Sequence, residues 1–246
     1  MTKKKTADDY TALHFVERLM KYRSAAELKK IQSYFPLNEA PGEKDVFIGV
    51  RMGQVFALAK EFTGMQVDEI EKLLENPIHE IRAGAVSIMD FQARSKKTDE
   101  RQRKALFDLY INRHDRINNW DLVDRSAPYV VGGYLYDKPR KKLYTLAKSK
   151  NVWERRTAIV STYYFIRQNE TDDTFKIAEI LIHDQHDLIQ KATGGWVREA
   201  GKRDPDALIA LLNKYASTMP RITLRYATEH LDKKKRDYYL QLKNAR

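Results

Sequence analysis

The chain has 246 residues, of which 42% are hydrophobic and 11% aromatic, enough for a buried core and too many for a disordered polypeptide. It contains no cysteine, which excludes disulfides, thiolate metal sites and a thiol nucleophile. Forty-five Lys and Arg against 34 Asp and Glu give a net charge of +11, a balance that favours polyanionic partners through counterion release. The amino terminus, Met1-Thr2-Lys3-Lys4-Lys5, is polar, and no run of about eighteen apolar residues occurs. A cytoplasmic protein without a membrane span is expected.

Helical spacing of apolar residues dominates, and strand-like alternation is scarce. Amino-terminal helices are expected over about 8–62 and repeats over about 66–240, the whole of 1–246 forming one domain. Ile70, Leu73 and Leu74 lie on one helix; Asn76-Pro77 breaks it; Ile81, Ala85, Ile88 and Met89 lie on the next. Proline in the first turn of that second helix fits the break. Similar pairs follow: Leu143–Ala147 and Trp153–Phe165, Phe175–Ile182 and Leu188–Glu199, Ala207–Tyr215 and Ile222–Leu231. Hairpins recurring every 35 to 42 residues or so predict an all-α solenoid of HEAT-like helical repeats.

Superposed, the second helices read Ile81-Arg82-Ala83-Gly84, Val123-Asp124-Arg125-Ser126, Arg155-Arg156-Thr157-Ala158, Gln190-Lys191-Ala192-Thr193 and Leu224-Arg225-Tyr226-Ala227. A small residue always stands two places after a key position, where it permits close helix approach. The key position is basic in four repeats (Arg82, Arg156, Lys191, Arg225) and acidic in one, Asp124. Stacking would align these residues along one face. Two readings stay open: a cation row for phosphates, or a ladder of interhelical ion pairs. Neighbouring cations favour the charged form of Asp124, an electrostatic stabiliser rather than a general acid.

The segment Asn118-Asn119-Trp120-Asp121-Leu122-Val123-Asp124 resembles the Trp-Asp-x-Val-Asp signature of the AlkD-type DNA alkylation-repair glycosylases. Asp45–Arg51, Trp153–Ile159 and Gln190–Glu199 agree with that family in order and spacing, and the resemblance runs from about Leu28 to Leu231. It implies a solenoid that cradles duplex DNA containing alkylated purines, and hydrolysis of the N-glycosidic bond of cationic N3- and N7-alkylpurines without base flipping. It places the catalytic carboxylate at Asp124, a groove aromatic at Trp120, DNA-contacting arginines at Arg156 and Arg198, and an amino-terminal tyrosine at Tyr34. The family's second groove tryptophan falls on Gly195, whereas this chain has Trp196, a rotation of about 100° on a helix. Either the local helix geometry differs, or Trp196 belongs to the core.

The chemistry needs few groups. A cationic alkylpurine leaves as a neutral base, so the protonation that ordinary glycosides require is unnecessary. One anion beside the oxocarbenium-like sugar and a positioned water suffice. No cofactor or metal is expected: His183, Asp184, His186 and Asp187 occupy an interhelix turn without a third histidine nearby. Gly132-Gly133 and Gly194-Gly195 fall within helices, not after strands as a nucleotide loop would. A monomeric, monofunctional DNA glycosylase is the leading expectation. The alternative is a non-catalytic DNA-binding HEAT-repeat protein.

Overall fold

The computed structural model describes residues 7–34 and 45–242, without the side chains of residues 7, 8 and 32–34. Its described residues are helical, with a lone parallel bridge between Val46 and Ile78 and no strand. None of these helices is long and apolar enough to cross a membrane. By its internal contacts the chain divides into two compact units, Met1–Ser126 and Ala127–Arg246.

In the first unit the helices are α1 (Ala12–Met20), α2 (Ala25–Tyr34), α3 (Met52–Glu61), α4 (Val67–Leu74), α5 (His79–Arg94), α6 (Glu100–Asn112) and α7 (Trp120–Ser126). Side chains accept at several of the starts: Thr11 from His14 N–H, Ser24 from Glu27 N–H, and Asp99 from Gln102 N–H. Helix α5 is the axis of the unit. It packs against α3, α4 and α7, and is buried almost from end to end. Phe15, Phe62, Leu58, Ile70 and Leu73 are buried with its apolar residues, Met89 among them. Pro77 stands one place before the N-cap, Ile78, rather than in the first turn. The Asn76 side chain instead accepts from Ile78 N–H, and Val46 C=O from His79 N–H, so the break is made by an Asx turn and the bridge.

The second unit opens with a π-helical segment over Ala127–Gly132 and α8 (Gly133–Leu135). Pro128 lies inside that π turn, where it lacks the N–H that a regular α-helix would use. There follow α9 (Lys141–Ala147), α10 (Val152–Ser161), α11 (Tyr163–Arg167), α12 (Asp172–Leu181), α13 (Asp187–Gly201), α14 (Pro205–Tyr215), α15 (Arg221–Ala227) and α16 (Lys233–Leu242). Of the expected pairs, α9 packs with α10 and α12 with α13; α13 also packs on α10, α14 and α15, so α14 and α15 both rest against α13. Two second helices are shorter than periodicity predicts. Helix α10 stops where the Ser161 and Thr162 hydroxyls bond back to the carbonyls of Thr157 and Ile159. Helix α15 stops where Thr228 does the same to Leu224. Such back-bonding bends or ends helices.

The small-residue row is buried throughout: Gly84, Ser126, Ala158, Thr193 and Ala227 all lie inside their units. At Gly84 a β-carbon would collide with the Phe15 ring, so the glycine leaves room for that ring against α5.

Candidate nucleic-acid interface

Helix α7 carries two adjacent stripes. Trp120 and Asp124 are one turn apart, and so are Asp121 and Arg125, about 100° further round. Trp120 is 37% exposed and Asp124 half-buried. The Asn119 side chain accepts from Trp120 N–H at 2.8 Å and so starts the helix at this residue.

The second stripe is bound to α5. The Asp121 carboxylate lies 2.7 Å from His79 Nε2, and Asp45 lies 2.9 Å from His79 Nδ1. Asp45 also accepts from Asn119 Nδ2 at 2.9 Å and pairs with Arg82. His79 is fully buried, with Phe47 tilted over its ring at 4.9 Å. Burial disfavours the imidazolium, but the charges and hydrogen bonds of Asp121 and Asp45 outweigh it and push the pKa up to about 9. Burial likewise works against the Asp45 carboxylate, yet His79, Arg82 and Asn119 hold its pKa down at about 2. One turn further on, Arg125 Nε donates to Ser87 Oγ at 3.2 Å, and Nη2 lies 3.1 Å from Asp90. Its guanidinium lies over Phe56 and Phe91, 4.6 and 4.8 Å from the ring centres. Burial raises the pKa of Asp90 and lowers that of Arg125. Between the two clamps Leu122 and Val123 are fully buried.

Another buried carboxylate supports the loop that brings in Asp45. Glu80 accepts the backbone N–H groups of Ile48, Gly49 and Val50 at 2.8–3.2 Å. Gly49 adopts φ 77°, a left-handed conformation in which a β-carbon would strike the Ser24 carbonyl.

The basic positions are not equivalent. Arg82 is 2% exposed and committed to Asp45, so the expectation that it faces solvent for a phosphate is corrected: its charge belongs to the clamp. Arg156 is 7% exposed and donates to Leu188 C=O at 2.7 Å, tying α10 to the start of α13. Lys191 is exposed and 2.5 Å from Asp187 on its own helix. Arg225 is exposed. Arg198, half-buried, pairs with Glu199 and Glu229. Tyr34 ends α2, and its side chain lies outside the described residues.

Trp196 is half-buried, its ring 5.2 Å from that of Tyr163. A β-carbon at Gly195 would meet nothing within 4 Å, so the position corresponding to the family's tryptophan opens outward. The turn before α13 is structural: His186 Nδ1 accepts from Leu188 N–H, and Asp184 binds Arg155 at 2.6 Å. Among the described residues no three His, Cys, Asp or Glu are grouped to hold a metal ion.

The sequence motifs give no role to His79, Asp121 or Arg125. The available signal is their chemistry: a histidine at the start of a largely buried helix, and charged residues one turn apart flanking two apolar ones.

The comparison with curated proteins yields no significant match. Among solved structures, a predicted DNA alkylation repair enzyme from Enterococcus faecalis superposes with a TM-score of 0.67. The superposition covers 86% of this chain and 97% of that one, at 18% identity, and so describes a shared fold. A family model described as DNA alkylation repair enzyme matches residues 15–231, a span that includes both α7 stripes and the basic positions of the second unit. With most of its length matched, the chain belongs to the DNA alkylation repair enzyme family.

Proposed function

We propose that this protein is a DNA glycosylase that hydrolyses the N-glycosidic bond of cationic N3- and N7-alkylpurines in duplex DNA, without base flipping. It would act as a cytoplasmic monomer that needs no cofactor. The observation that carries this reading is the outer stripe of α7: an exposed indole and a half-buried carboxylate one turn apart, on a helix held by its other stripe. In this reading the hairpins are HEAT-like repeats of a solenoid. Lys191 and Arg225, with Arg156 and Arg198, would contact DNA phosphates.

The bond breaks toward the base. The glycosidic electron pair moves onto the cationic purine, which departs neutral, and C1′ is left with oxocarbenium character. The Asp124 carboxylate stabilises that charge and orients a water, whose oxygen bonds to C1′ as its proton passes to the carboxylate or to solvent. Trp120 packs on the deoxyribose and excludes bulk water. Losing one such stabiliser lowers the rate by about 10²–10³-fold, or about 2.7–4 kcal/mol.

The test is base release from duplex DNA carrying N7-methylguanine. Wild type should release the base, while Asp124→Asn should bind the duplex at least as tightly and release it 10²–10³-fold more slowly, to order of magnitude. Equal rates would remove Asp124 from the chemistry. Wild type that binds but releases nothing would favour the non-catalytic DNA-binding reading, to which the absence of an indole at the open Gly195 position gives some support.

A further inference from the structure

We propose that His79 is a positioning residue: bridging Asp45 and Asp121, it locks the inner stripe of α7 to α5 and so sets the direction in which Trp120 and Asp124 are presented. The inference deepens the glycosylase reading and rests on it for the meaning of the activity loss. Its geometry stands on α5, α7 and the Asp45 loop.

Three observations carry it. His79 is the first residue of α5 and Asp121 the second of α7, so their contact joins the beginnings of the two helices. The imidazole has both nitrogens engaged, at 2.7 and 2.9 Å, and is 0% exposed, so little freedom of ring orientation is left. Asp45 closes the assembly by also holding Asn119, the residue whose side chain starts α7.

The charges facing the ring are Asp45 from the loop before α3, Asp121 from α7, and Arg82 beside Asp45 from α5. The neighbouring Glu80 is turned to the backbone of residues 48–50. As an imidazolium His79 donates to both carboxylates; a neutral ring can donate to only one. A clamp built only to stabilise the fold need not touch the turn that displays Trp120. This one begins at residue 119 and grips residue 121.

The experiment compares wild type with His79→Gln, Asp121→Ala and Asp121→Asn by amide hydrogen exchange and by single-turnover release of N7-methylguanine. In His79→Gln and Asp121→Ala, exchange across residues 119–124 should accelerate at least tenfold, with residues 152–161 unchanged. Base release should fall 10- to 100-fold, while affinity for undamaged duplex stays within threefold. Asp121→Asn should recover most of the loss, because its amide can pair with either ring state. If His79→Gln fails to fold, Asp121→Ala, at the partly exposed end of the bridge, carries the test.

Unchanged exchange at 119–124 in the folded variants overturns the proposal whatever the activity. A rate loss that merely tracks weakened DNA binding does so too. A wild type that releases no base defeats the glycosylase reading, and exchange still decides the clamp.

Discussion

Gly194 and Gly195 are neighbours on α13, and the same substitution should act on them with opposite sign. A β-carbon at 194 would lie 2.5 Å from the Thr223 carbonyl oxygen and 2.7 Å from Tyr226 Cβ, both on α15. At 195 it would meet nothing within 4 Å. Gly194→Ala gains about 1 kcal/mol of helix propensity. It must also part α13 from α15 against backbone atoms, overpacking of the kind that costs about 1–3 kcal/mol, with such close contact placing it at the upper end. The expected net loss is about 1–2 kcal/mol. Gly195→Ala keeps the whole propensity gain and should stabilise by about 0.5–1 kcal/mol. Urea unfolding followed by circular dichroism, with linear extrapolation, resolves a gap of this size. Gly194→Ala as stable as wild type would refute the close approach of the helices, and a destabilised Gly195→Ala would refute the open face.

Three further outcomes are expected. The stability contributed by His79 is fully present below its unfolded pKa of about 6.5 and is lost as pH rises through about 9, a loss of about 3 kcal/mol; denaturant midpoints of wild type and His79→Gln should converge between pH 6 and 10, and a constant gap would contradict the imidazolium. Trp196→Ala should cost about 1–2 kcal/mol, less than the 3–5 kcal/mol or so typical of a fully buried aromatic, because the ring rests on Tyr163 and keeps one side outward; a loss of 4 kcal/mol in thermal melts would return it to the core. Arg225→Gln should weaken duplex binding and reduce the salt slope of log K by about 1, whereas Arg82→Gln should leave the slope unchanged and destabilise the fold by about 3–5 kcal/mol. A slope change in Arg82→Gln would mean that its guanidinium reaches the phosphates after all.

The helices were legible because each needs only local information: apolar spacing, an Asn-Pro break, an Asx or proline start. The two early stops at Ser161-Thr162 and Thr228 were not. Hydroxyl residues are common inside helices, and nothing local says which will bond back to the chain. At the site, the outer stripe of α7 could be read because Trp120 and Asp124 stand four residues apart in a recognisable segment. The inner stripe was hidden by distance along the chain. Asp121 finds His79 across 42 residues, and Asn119 finds Asp45 across 74. A carboxylate's role depends on what folding brings to it, so Asp121 and Asp124 look alike until their partners are known.

The basic row illustrates the same point for charge. A net charge of +11 counts every cation, but several arginines are already occupied at helix ends. Arg116 donates to the carbonyls of Leu74 and Glu75 at the end of α4, Arg155 to those of Ser149 and Lys150 before α10, and Arg156 to that of Leu188. Arg140 joins Glu170 and Asp173, and Arg113 joins Glu71 and Glu75. The guanidinium suits this work: its planar fork can hold several acceptors at once and is less strongly hydrated than an ammonium, so burying it costs less. The two expectations for the row, phosphate contact and interhelical pairing, therefore divide by position. Arg82 serves the fold and Arg156 spends one donor on it, while Lys191 and Arg225 lie exposed, where a polyanion can reach them. A basic residue in a helical repeat becomes a candidate DNA contact only after the helix ends within its reach have taken the donors they require.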